Sequence, residues 1–171
     1  MPTLSLRVLY CFFVIEHDRR RILHFNTTAH PTSEWIMQQL REALPLPCPY
    51  RYVIFDRDRK FSVEVRTFLK ASGIEPVRTS VRSPWQNGVA ERWVGSIRRE
   101  MLDHVIPVNE RHVMRLSLEY LRYYQDDRTH LGLNKDTPGA RSTEMRPHLH
   151  STIRAEPRIG GLHHRYMWSA A

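Results

Sequence analysis

Cysteine is scarce in this chain of 171 residues: Cys11 and Cys48 are the only two, and they lie far apart. That excludes a disulfide framework and a Cys-x-x-Cys metal cluster, and it points to a reducing compartment. Long apolar runs are also missing. No stretch approaches the ~18 residues of a membrane helix, so no membrane partner is expected. The apolar patch Leu9 to Ile15 follows a lone Arg7, with no small-residue cleavage site after it. It reads as a buried strand and not as a signal peptide. Cys11, inside the patch, reads as a small core residue. Lysine is nearly absent: of 26 basic residues only Lys60, Lys70 and Lys135 are not arginine. No internal repeat is found.

What is present fits one globular domain with a core, since 41% of the residues are hydrophobic. Only 18 acidic residues oppose the basic ones, which leaves a net charge of +8. Arginine carries a planar fork of donors matched to phosphate oxygens. The excess points to a polyanionic partner, most simply nucleic acid. Residues 51–100 concentrate it, with 11 basic and 6 acidic positions.

The patterning predicts a mixed α/β domain. LRVLYCFFVIE, Leu6 to Glu16, reads as a central strand, and ILHFNTTA as its antiparallel hairpin partner. Thr32 or Ser33 caps a helix with Trp35, Ile36, Leu40 and Ala43 on its apolar face. RYVIFD is a short buried strand ending at Asp56. Ser62 caps the next helix, Gly73 stops it, and IEPVRTS is a further strand. After the loop SPWQNG a helix runs to about His104, with Ala90, Val94, Ile97 and Met101 on one face. Another spans Glu110 to Asp126, with Val113, Leu116, Tyr120 and Tyr124 together. From Asn134 on the chain reads as an extended tail with a short strand around GGLHHRYMW.

Two carboxylates stand out. Asp56 closes a buried strand, where α/β folds place ligands. Glu91 sits in the first turns of the helix after SPWQNG. If that helix packs beside the Asp56 strand, the two acids need a cation between them. Mg²⁺ suits oxygen ligands, and two such ions ~3.5–4 Å apart would clamp a phosphodiester. Asp58 reads as pairing with Arg57, Arg59 or a nearby amide.

At this point a resemblance is specific. VIFDRDRKF, then IEPVRTSVRSPWQNGVAERWVGSIRREML, then YYQDDRTHLGLNKDTP resemble the DDE integrase/transposase catalytic core, the retroviral-integrase superfamily of insertion-sequence transposases. Asp56 and Phe61 match the element around the second catalytic Asp. Ser83, Pro84, Asn87, Gly88 and Glu91 match the element carrying the catalytic Glu. Tyr124, Arg128, His130, Leu131, Thr137 and Pro138 match the closing element, with Gln125 where Asn is usual. The resemblance covers about residues 6 to 140. It implies an RNase H-like sheet with flanking helices, a core over 1–140 and a basic tail over 141–171. It further implies DNA integration by metal-dependent hydrolysis and strand transfer, a polynucleotidyl transferase chemistry. Asp56 and Glu91 would hold Mg²⁺ or Mn²⁺. Transposon ends and target DNA would be the partners of a cytoplasmic, nucleoid-associated bacterial homo-oligomer.

Ser83, Trp85, Gln86, Asn87 and Gly88 then form a loop guiding DNA, with Gly88 allowing close backbone approach. Arg92, Arg98 and Arg99 either contact phosphates or make a solvated basic face. Arg128 and His130 either brace the helix or touch DNA. Trp93 reads as core or subunit contact. His148, His150, His163 and His164 read as solvated or packing the tail.

The family's first catalytic Asp precedes the strand LRVLYCFFVIE, and no acid occurs before Glu16. The expectation is a chain truncated before that strand, holding metal weakly and inactive alone. Glu16 and Asp18, at the far end of the strand, are poor replacements. Unpaired strand edges would lower stability and favour dimerisation or aggregation. The rival reading is a non-catalytic DNA-binding remnant of a mobile element. A weaker one is an RNase H-like nuclease, with Asp126 or Asp127 as its fourth acid.

Overall fold

The computed structural model describes residues 8–169. In chain order it contains β1 (Tyr10–Ile15), β2 (Ile22–Thr28), α1 (Ser33–Ala43), β3 (Tyr52–Phe55), α2 (Val63–Ala71) and β4 (Glu75–Arg78). There follow α3 (Gly88–Glu100), α4 (Glu110–Asp126), β5 (Ile153–Arg158) and β6 (His163–Trp168). Leu6 and Arg7, expected in the first strand, lie outside the described residues.

The local causes are legible. Thr32, and not Ser33, caps α1: its hydroxyl accepts the Trp35 amide at 3.2 Å. Gly73 ends α2 with φ of +76°, the left-handed conformation that suits glycine. Asn109 caps α4 by accepting the His112 amide at 2.9 Å. Helix α3 is shorter than expected, since a 3-10 turn takes over at Leu102–His104. Its core face is also rotated. Trp93, Ser96, Ile97 and Met101 are buried, whereas Val94 is 45% exposed. The large indole of Trp93 takes the place against Tyr120 and Tyr124, with ring centroids 5.5 and 4.6 Å away. That turns Val94 outward and leaves Ala90 half-buried.

Sheet formation departs from a single mixed sheet. β1 pairs antiparallel with β2, β3 pairs parallel with β4, and β5 pairs antiparallel with β6, each as a separate two-stranded sheet. Two apolar clusters flank β1. Phe12 and Val14 pack toward Ile36, Leu40, Phe55 and Leu69, while Phe13 and Ile15 pack toward Trp93, Ile97 and Tyr120. Yet no residue of β1 is fully buried, apolar as the strand is. Cys11, expected in the core, is exposed. The cause is a cavity of ≈ 730 Å³ between β1 and β3, which no described segment fills.

The segment after Asn134 is more structured than an extended tail. β5 and β6 form a hairpin anchored to the end of α4, where Asp127 receives Arg158 at 2.9 Å and Arg165 at 3.3 Å. His163 stacks on Tyr123 with centroids 4.4 Å apart.

Candidate active site

Asp56 follows directly on β3, and the turn after it is tightly specified. The Asp58 amide donates to Asp56 Oδ1 at 3.0 Å. Asp58 is itself committed to Lys60, accepting the Lys60 amide at 2.9 Å and Nζ at 2.8 Å. These bonds hold its carboxyl below the usual range, against the opposing effect of burial. Of the expected partners the nearby backbone amide is the one found, that of Lys60, joined by its own ammonium rather than by Arg57 or Arg59. Phe61 ends the turn by stacking on Phe55, with centroids 4.9 Å apart and planes at 26°. The spacing from Asp56 to Phe61 thus has a mechanical sense: the second aromatic ring pins the turn that presents the acid.

Glu91 comes from the first turn of α3. The approach to it starts where the Thr79 amide donates to Phe55 O at 3.0 Å, one step beyond β4. Gln86 then clips the loop: its Oε1 accepts the Ser80 amide at 2.6 Å and its Nε2 donates to Ser80 Oγ at 3.3 Å. Gln86 is therefore engaged inside the loop. Trp85 stands out from it, 74% exposed. Gly88 has helical φ, and a Cβ there would meet only Arg92 Nη2 at 3.8 Å. Among the described residues nothing demands glycine at that position.

Asp56 and Glu91 line one cavity of ≈ 400 Å³, together with Arg57, Arg82, Ser83 and Asn87. Both acids are exposed. The Glu91 side chain makes no hydrogen bond or ion pair among the described residues. The two acids offer oxygen ligands, the chemistry of a hard divalent cation, which commonly takes one or two carboxylates plus water and phosphate. Among the described residues no group of three His, Cys, Asp or Glu could hold a metal ion. Glu16 is tied to Arg21 at 2.9 Å and accepts the Tyr50 hydroxyl at 3.2 Å, at the other end of β1.

The remaining expected residues are dispersed. Arg92, Arg98 and Arg99 are exposed on α3 but do not line the cavity. Arg92 donates to Gly88 O at 3.1 Å, and Arg98 lies 3.5 Å from Asp103. Arg128 and His130 sit behind the far end of α3. Arg128 donates to both Glu100 oxygens at 2.7–3.1 Å, and Tyr120 donates to Glu100 Oε2 at 3.0 Å. Burial works to raise the Glu100 pKa, but these bonds hold it below its ordinary value. His130 is buried, and burial first, then the nearby charges of Arg128 and Arg20, push its pKa down to about 4. In this structure the pair braces α3 against α4. Sequence reasoning missed Arg57 and Arg82 as cavity residues. Arg57 was signalled by its place beside Asp56; Arg82, with φ of 55°, carried no sequence signal.

Residues 72–138 match the integrase core domain family. No curated protein matches the sequence. A chain in the cryoEM structure of the simian T-cell lymphotropic virus intasome in complex with PP2A regulatory subunit B56 gamma is similar in fold, with a TM-score of 0.63 at 15% identity. The likeness covers 99% of this chain and 63% of that one, so this chain spans under two thirds of its length. The α/β, RNase H-like reading of the fold stands with that likeness. The family match spans under half of this chain, and the structural likeness bears on the fold alone. No helix among the described residues is long and apolar enough to cross a membrane.

Proposed function

We propose that this chain is the catalytic-core portion of a DNA integrase or transposase, with Asp56 and Glu91 as metal ligands and DNA as substrate. The observation that carries the reading is the convergence of these two acids, from separate elements, on one cavity rimmed by Arg57 and Arg82. Mg²⁺ or Mn²⁺ bound there would polarise a phosphodiester and activate the attacking water or hydroxyl. The chain's own part is positional. The Phe55–Phe61 stack and the Asp58 amide orient the Asp56 carboxylate, and the Gln86 clip sets the entry of α3 and so the height of Glu91. Arg57 and Arg82 draw phosphate toward the acids. Ser83, Trp85, Asn87 and Gly88 contact DNA from the loop, and Arg92, Arg98 and Arg99 extend the basic face along α3. Residues 1–140 form the core and 141–171 an appended basic unit. DNA ends and target are the partners, and the working form is a homo-oligomer.

Two acids hold a divalent ion only weakly, so the 171-residue chain by itself binds DNA but does not cut or join it. The second reading is a non-catalytic DNA-binding remnant of a mobile element. The test is a labelled duplex incubated with purified chain and Mg²⁺ or Mn²⁺. Salt-sensitive binding without nicking or joining supports the reading. Failure to bind DNA at low salt would refute both readings. Nicking lost in Asp56→Asn would keep the enzyme and refute its inactivity.

A further inference from the structure

The β5–β6 hairpin turns its charged face inward and its apolar face to solvent. Alternate residues of a strand share a face, and the contacts of the hairpin tell the two faces apart. Arg158 of β5 and Arg165 of β6 turn toward the core, 2.9 and 3.3 Å from Asp127. His163 turns the same way, with Nε2 2.8 Å from Glu100 O and its ring stacked on Tyr123. The other face carries Ile153, Ala155 and Pro157 of β5, paired in that order with Trp168, Tyr166 and His164 of β6. Ile153 is 64% exposed and Tyr166 62%. Ala155, Pro157 and His164 are exposed as well, and of the six Trp168 alone is half-buried. A hairpin that spends its arginines on the core and leaves rings to solvent presents a binding face.

The shape of that face favours flat ligands. Tyr166 stands opposite Ala155 and His164 opposite Pro157, so neither ring faces a long side chain across the ladder. The centroids of the His164 and Tyr166 rings are 6.3 Å apart. Successive bases in a duplex are separated by about 3.4 Å along each strand. Two neighbouring bases therefore fit these rings only when unstacked from each other, one base on each ring.

Charge supplies the rest. Residues 141–171 contain Arg141, Arg146, Arg154, Arg158 and Arg165 against only Glu144 and Glu156. Arg146 lies 5.6 Å from the Trp168 ring centroid at one end of the face, and Arg154 is exposed on β5. A second copy of this chain, of net charge +8, would bring like charge against like. An unpaired nucleic-acid strand offers anionic phosphates together with open base faces, and suits both features.

We propose that the outer face of the β5–β6 hairpin is a stacking platform for unpaired bases of a single DNA strand, with Tyr166 and His164 as its rings. The choice of DNA rests on the proposed function. The platform itself uses neither Asp56 nor Glu91: His163 anchors the hairpin at Glu100, the opposite end of α3 from Glu91.

The probe is a labelled oligothymidylate of about twelve nucleotides, compared by fluorescence anisotropy with an abasic strand and with a duplex of the same length. The full chain binds the oligothymidylate more tightly than the abasic strand. Tyr166→Ala weakens oligothymidylate binding about tenfold or more and leaves duplex binding unchanged. Tyr166→Phe, which keeps the ring, binds as the wild type does. The proposal is overturned if Tyr166→Ala binds the oligothymidylate as well as the wild type, or if the abasic strand binds as tightly. It is also overturned if Tyr166→Leu matches Tyr166→Phe, which would mean an apolar face for a protein partner. A chain that binds the duplex but not the oligothymidylate refutes the platform and leaves the DNA reading standing. A chain that binds neither refutes both.

Discussion

Asp56, at the end of β3, and Glu91, in the first turn of α3, line the same cavity although a helix and a strand separate them in sequence. Neither acid is neutralised by an ion pair among the described residues. The proposed role of the two carboxylates as cation ligands would use this absence of a direct ion pair.

The turn that presents Asp56 depends on Phe61. Phe61→Ala removes the stack on Phe55 and leaves a void beside it, for a loss of about 2–3 kcal/mol in urea unfolding. Phe61→Leu loses less. An unchanged midpoint in Phe61→Ala would mean that the ring does not pin the turn.

The brace behind α3 is a bidentate pair whose side chains are only 25% and 21% exposed. Arg128→Ala strands the Glu100 carboxylate and costs about 2–4 kcal/mol. Arg128→Lys restores little, because lysine cannot make the fork. Pairing Arg128→Met with Glu100→Gln recovers part of the loss. Chemical denaturation of the three variants checks the order.

His130 sets a pH dependence. Its folded pKa of about 4 lies below the ordinary 6.5, so the folded state binds the proton less well than the unfolded chain. Its contribution is complete above about pH 6.5 and is lost as pH falls toward 4, on the order of 3 kcal/mol in full. Thermal melts from pH 7 to 4 will show a decline that His130→Phe flattens. A parallel decline in both proteins would assign the acid sensitivity elsewhere.

DNA binding separates the arginines. Arg57→Ala and Arg82→Ala each lower the slope of log affinity against log salt by about 1. Arg128→Ala leaves the slope unchanged, since that guanidinium is already spent on Glu100. Binding titrations at several salt concentrations distinguish the groups.

Much of this was legible in the sequence because it is local. The place of α4 follows from the spacing of Val113, Tyr120 and Tyr124. The order of strands and helices up to β4 follows from apolar runs and from Gly73. The acids and their spacing to Phe61 and Asn87 were readable as motifs. What was not legible depends on competition between distant side chains. Trp93 rotated the buried face of α3 and put Val94 into the cavity. Cys11 is exposed because β1 borders an open slot, a fact of sheet assembly and not of composition. The hairpin of β5 and β6 depends on Asp127 gathering Arg158 and Arg165 from far along the chain.

The most direct test of the central claim is Mn²⁺ binding, followed by electron paramagnetic resonance on the wild type, Asp56→Asn and Glu91→Gln. The account predicts one weak site in the wild type, with affinity reduced about tenfold or more in each variant and unfolding midpoints little changed. Equal Mn²⁺ affinity in all three proteins, or none in the wild type, would contradict it.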